Sequence, residues 1–214
     1  MIKWIFPLVS IILALGIVLF PFFSFHKKDE RYSFARYFPC EMASSLKDKI
    51  ILLGLGTLFS MCAAESYVSN LFLCRSPIFL TAMILEILSL LALLAVLAYG
   101  LDYLKIHIIA DLIFAIGEGM GDVSLLLGVL IDEEKHYPFS LALGVVMGLV
   151  GLALLVLLFL PKLKRWAYLD KSEEDGKVVY VRPKVSPLAL IEWIYLFGQI
   201  FNLILLAVNG ILNQ

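Results

Sequence analysis

The chain has 214 residues, of which 62% are hydrophobic and 16% charged, with a mean hydropathy of +0.96. Soluble domains run at roughly 45–50% apolar and about 25% charged, so the composition excludes a soluble enzyme and a disordered chain. A net charge of −1 excludes a direct nucleic-acid partner.

The composition predicts an all-α, polytopic membrane helix bundle forming a single transmembrane domain over residues 1–214. A helix that crosses the hydrocarbon core needs about 20 apolar residues. The first such stretch is 4–25, which lacks the small-residue cleavage site of a removed signal peptide. A polar loop, 26–49, follows. Residues 50–73 make the weakest span, because Glu65, Ser66, Ser69 and Asn70 interrupt its second half. The span 77–99 is clear. The span 106–131 is apolar but carries three carboxylates, and 139–160 stops at Pro161. A second polar loop, 162–186, contains the strand-like run GKVVYVRP. An irregular charged loop is expected there in preference to a hairpin. The last span is 188–212.

Six spans are expected, against an alternative of four or five, and the basic residues favour six. Cytoplasmic flanks collect Lys and Arg. Six spans place both polar loops and Lys105 on one side, with fourteen of the seventeen Lys and Arg residues. Only Lys3, Arg75 and Lys135 fall opposite. A four-span arrangement without 50–73 and 188–212 splits them nine to eight. Both termini are therefore expected outside, in a plasma or inner membrane. Cys40, Cys62 and Cys74 make an odd count without a C-x-x-C motif, which argues against a disulfide framework and a structural zinc site.

The polar residues inside the spans carry the functional signal. A carboxylate in hydrocarbon costs several kcal/mol unless it is protonated, paired or hydrated. Glu65, Glu86, Asp111, Glu118, Asp122 and Glu192 lie in spans that contain no Lys or Arg, and His107 is the one basic residue among them. At about 100° per residue, Glu118 and Asp122 stand roughly −20° and +20° from Asp111, and His107 about −40° from it. His107, Asp111, Glu118 and Asp122 thus share one stripe, roughly 22 Å long at 1.5 Å per residue. Gly117, Gly119 and Gly121 sit among these acids and suit the close approach of another helix; they also weaken this helix, so local unwinding that aims carbonyls at a cation is a second expectation.

The last span has its own polar side, Glu192, Tyr195, Gln199, Asn202 and Asn209. Together with Glu65 and Glu86, Glu192, Gln199 and Asn202 are candidates to face the stripe, with an oligomer contact as the alternative use of that side. Gly144, Gly148 and Gly151 suit a close helix crossing, within the chain or between chains.

The run Gly119-Met120-Gly121-Asp122 resembles the GxGD second-aspartate motif of intramembrane aspartyl proteases, prepilin peptidases especially. That likeness implies a partner aspartate on another span, sharing one proton. It covers about eight residues. Asp102 and Asp111 precede the motif within or beside the same span, and the prolines of the family's first site are absent. The segment also resembles the Gly-Asp helix of lysoplasmalogenases, without their histidine pattern. Residues 103–165 are similar in rhythm to the last two spans of claudin-like proteins, without the Trp-Gly-Leu-Trp motif. None of the three carries a site across.

Catalysis usually needs a nucleophile with a tuned base. His107 has no serine or cysteine beside it at helical spacing, and His26 and His136 lie in loops. The expectation leans away from an enzyme, with an intramembrane hydrolase as the minor alternative. It favours a protein that passes or senses protons or cations along the stripe, with no cofactor and the metal question open. The alternative is a non-catalytic subunit or sensor of a larger membrane assembly, docking a soluble cytoplasmic partner through the basic loops. Expected partners are the bilayer and a homo-oligomer or membrane complex.

Overall fold

The computed structural model describes residues 4–25, 31–43, 45–71, 76–99, 103–131, 141–159, 170–174, 177–181 and 185–212. The expectations placed on His26, Cys74, Asp102 and His136 lie outside them. The helices are α1 (Ile5–Leu19), α2 (Pro21–Ser24), α3 (Leu46–Leu71), α4 (Pro77–Ala98), α5 (Leu104–Ile131), α6 (Leu141–Leu158) and α7 (Pro187–Leu212). A 3-10 turn, Pro39–Met42, precedes α3. Among the described residues six helical stretches are long and apolar enough to cross a membrane, with α1 and α2 counting as one.

The ends of these helices follow from local chemistry. Ser45 and Asp48 form a reciprocal cap. The Asp48 N–H donates to Ser45 Oγ at 3.1 Å, and the Ser45 N–H donates to Asp48 Oδ2 at 3.2 Å. This starts α3 at Leu46, earlier than apolar content alone predicts. Ser76 and Ser186 precede Pro77 and Pro187, a serine cap followed by proline in the first turn. Pro21 cannot donate a backbone hydrogen bond, and the chain tightens there into the short α2.

The 162–186 loop contains an antiparallel hairpin, β1 (Asp170–Glu174) with β2 (Lys177–Val181), in place of the irregular loop expected. Val178, Val179, Tyr180 and Val181 favour a strand, and Asp175-Gly176 is a residue pair suited to a two-residue turn. The expected unwinding of the glycine-rich segment does not occur, since α5 is continuous through Gly117, Gly119 and Gly121.

Those glycines set helix spacing instead. A Cβ on Gly117 would stand 3.0 Å from the Leu85 carbonyl oxygen of α4. One on Gly119 would stand 3.2 Å from the Gly151 carbonyl oxygen of α6. Gly144 and Gly148 meet Val129 and Leu126 of α5 in the same way. The α6 glycines thus serve a crossing within the chain. Helix α5 lies between α4 and α6, while α1 packs on α3 and α7.

The distribution of polarity is inverted relative to a soluble protein. Leu91, Val156 and Phe159 are exposed, while Glu86, His107, Glu118, Asp122, Gln199 and Asn202 are fully buried. An apolar exterior around a polar interior matches a hydrocarbon solvent, as expected of an integral, multi-pass membrane protein.

Candidate functional site

The stripe on α5 turns inward and meets the polar side of α7. Its four members divide into two clusters. At the start of α5, the Nδ1 of His107 lies 2.8 Å from the Tyr99 carbonyl oxygen. Since a carbonyl only accepts, Nδ1 carries the proton and donates it. The opposite nitrogen, Nε2, faces two carboxylates: Asp111 Oδ2 at 3.4 Å and Glu192 Oε1 at 3.3 Å. Glu192 comes from the second turn of α7, where Ser186 and Pro187 fix the start of the helix. The Asp111 and Glu192 carboxyl groups also lie within hydrogen-bonding reach of one another, and among the described residues neither has an amide, Lys or Arg partner. A cavity of about 200 Å³ opens beside Asp111 and Glu192, walled mainly by apolar side chains of α5, α6 and α7, with Tyr195 on its lining.

Two turns deeper, Glu118 and Asp122 meet α4 and α7. The Asn202 side-chain amide donates to both oxygens of Asp122, at 3.0 and 2.9 Å. The Gln199 amide donates to Glu86 Oε2 at 2.8 Å and accepts from the Tyr67 hydroxyl at 3.3 Å. Neither oxygen of Glu118 has a hydrogen-bond partner. The absence of a side chain at Gly198 leaves room for Glu118, since a Cβ there would stand 2.6 Å from Glu118 Oε1. Gly121 does the same for Glu86 Oε1, at 2.5 Å. Beyond this cluster, the Asn209 amide donates to Asn70 Oδ1 at 3.1 Å. The polar groups thus form a column from His107 to Asn209.

The segment 31–43 folds over the His107 end. The Trp193 indole donates to the Tyr37 carbonyl at 3.0 Å, and the Ser186 N–H to the Ala35 carbonyl at 2.7 Å. The Ser24 hydroxyl donates to the Met42 carbonyl at 2.6 Å. Around this joint Tyr32 stacks on Tyr37, Phe34 meets Tyr32 and Trp193 edge-on, and Trp193 and Phe197 are tilted. Phe38 meets the His107 ring at 5.8 Å, nearly perpendicular. Cys40 is buried beneath it. Burial, then the charges of Glu192, Glu41 and Asp111, push its thiol well above the usual cysteine range. Burial also raises the Tyr32 hydroxyl, despite its hydrogen bond with Trp193.

The structure brings together His107, Asp111 and Glu192, and separately Glu86, Glu118, Asp122, Gln199 and Asn202. It does not bring Glu65 to either cluster: that residue is half-buried, and no described hydrogen bond joins it to the column. Tyr67 and Asn70 belong to the column but escape the sequence reading. The signal was present, since both lie in the polar half of the 50–73 span, where they read only as interruptions of apolar character. The aspartate partner implied by the GxGD likeness is not beside Asp122. The acid across from that motif is Glu86, on α4.

No family model, curated protein or solved structure matches the chain.

Proposed function

We propose that this is a small membrane protein that passes or senses protons or cations along the column of buried acids between α5 and α7. One observation carries the reading: Glu118 is fully buried, with neither carboxylate oxygen hydrogen-bonded, beside two further acids in spans that contain no Lys or Arg. Buried acids without cationic partners are compensated by protons, water or a bound cation, and each of these is exchangeable. The amides of Gln199 and Asn202 orient the neighbouring Glu86 and Asp122 without neutralising them. The surrounding helices exclude lipid from the column through close glycine contacts. The basic loops favour an orientation with the His107 end at the cytoplasmic face and both termini outside, in a plasma or inner membrane.

The test is flux into proteoliposomes across pH, for wild type, Glu118→Gln and Asp122→Asn. Each change removes one ionisable site and nearly preserves shape. Both should abolish flux or shift its pH profile, while the protein still inserts and melts within a few degrees of wild type. Wild-type flux and pH profile in both variants would end the conduction reading and leave a non-catalytic assembly subunit as the better account.

A further inference from the structure

We infer that His107, Asp111 and Glu192 bind one divalent transition-metal ion of the zinc type. Three observations carry this. The first is the fixed tautomer. Because Nδ1 donates to the Tyr99 carbonyl at 2.8 Å, a neutral ring presents a lone pair at Nε2. A histidine that ligates a metal is commonly oriented by this kind of outer hydrogen bond.

The second is spacing. Nε2 lies 3.4 Å from Asp111 Oδ2 and 3.3 Å from Glu192 Oε1. Zinc bonds of about 2.1 Å in a tetrahedron give ligand-to-ligand edges of roughly 3.4 Å. One ligand atom from each of the three residues lies within 4.8 Å of the others. A lone pair and two carboxylate oxygens this close repel one another unless a proton or a metal ion stands between them.

The third is that the two acids find only each other and the imidazole. Glu192 is 4% exposed, and its carboxyl group meets Asp111 and His107 Nε2 but, among the described residues, no Lys, Arg or amide donor. Two carboxylates and a neutral imidazole sum to −2, which one divalent ion balances. The cavity beside Asp111 and Glu192 leaves space for a water or ligand in a fourth position. The donor set selects the metal class. Imidazole suits zinc and its first-row neighbours, whereas calcium takes six to eight oxygens and magnesium keeps an octahedron of them. Binding here does not require conduction through the deeper acids.

The experiment uses the full chain in detergent, stripped with a chelator and titrated with Zn2+ alone. One ion per chain is expected, undisturbed by millimolar Mg2+ or Ca2+. His107→Ala, Asp111→Asn and Glu192→Gln should each weaken binding by about 100-fold or more, the upper end of what outer-shell changes alone produce. Glu118→Gln should bind as wild type does. Zinc X-ray absorption on the wild-type protein should show a nitrogen and oxygen shell near 2.0–2.1 Å with one imidazole. This reading does not depend on whether a variant folds. A wild-type protein that takes up no stoichiometric zinc overturns the site, as does a sulfur shell or unchanged affinity in folded variants. Zinc binding with no flux would leave the site standing and remove only the conduction reading. Flux without zinc would do the reverse.

Discussion

The two clusters on the α5 stripe use the same acids in opposite surroundings. Near the start of the helix, Asp111 and Glu192 face an imidazole nitrogen and border a cavity. Deeper in, Asp122 and Glu86 each receive an amide from α7, and helices close on them at Gly151 and Gly121. The difference comes from what the facing helices supply. Amide donors satisfy a carboxylate in place, so the inner cluster is partly a structural element. An imidazole nitrogen facing two carboxylates changes what it offers them when a proton or a metal ion arrives, so the outer cluster is open to chemistry. Glu118 stands between the two types, walled in like the inner acids but unserved like the outer ones.

The largest effect should come from stranding an inner acid. Asn202→Leu removes the only described donor to Asp122 while keeping similar volume. The loss should be about 3 kcal/mol, the upper end for a buried acceptor left without a partner. Asp111→Asn, in the outer cluster, should change stability by less than about 1 kcal/mol, because the amide keeps the shape of the side chain and can still hydrogen-bond Glu192. Unfolding of each variant in mixed micelles measures both. Equal losses at the two positions would abolish the distinction between the clusters.

A somewhat smaller effect should follow from spreading the helices around the inner cluster. At Gly148 a side chain would land on Leu126 of α5, whereas at Gly54 a Cβ meets nothing within 4 Å. Gly148→Leu should therefore cost about 1–3 kcal/mol, as overpacking does. Gly54→Leu should be neutral or slightly stabilising, since glycine in a helix interior is itself worth roughly 0.5–1 kcal/mol less than alanine. Melting temperatures in detergent separate the two. An unchanged Gly148→Leu protein would mean that this face of α6 meets lipid.

Much of this contrast was legible in the sequence. Three acids and a histidine at helical spacing define the stripe, and Glu192, Gln199 and Asn202 define the side that meets it, because helical periodicity fixes which residues share a face. Periodicity says nothing about which helices become neighbours. The meeting of Asp122 with Glu86, and of Tyr67 with Gln199, depends on tertiary packing. Glu65 shares the composition of its neighbours but not their direction. The close helix approach at Gly117, Gly119 and Gly121 was legible from residue size, whereas the unwinding expected from their weak helix propensity does not occur, because propensity is a local quantity and α5 stays continuous amid those close contacts. The aromatic cap of residues 31–43 has no period and left no signal.

The smallest effect, and the one that probes the cap, concerns Cys40. It is 5% exposed and lies within the segment that closes the outer cluster. Burial and neighbouring carboxylates hold its thiol above the usual range, so the folded protein keeps the proton where an unfolded chain would lose it. The sign is therefore fixed: the contribution to stability is present below about pH 8.5, the ordinary cysteine value, and is lost as pH rises beyond it. Reactivity follows the same logic, because the thiolate is the species alkylated. With Cys62 and Cys74 replaced by serine, Cys40 in the detergent-solubilised protein should react slowly with a maleimide between pH 7 and 9. Ser33→Cys, at an exposed position of the same segment, should react at once and speed up about tenfold per pH unit until its own pKa is reached. Denaturant should bring Cys40 to the same rate. If native Cys40 instead keeps pace with Ser33→Cys, the cap opens on the labelling timescale. The outer cluster would then be an accessible vestibule, and its contrast with the inner cluster would extend from chemistry to solvent access.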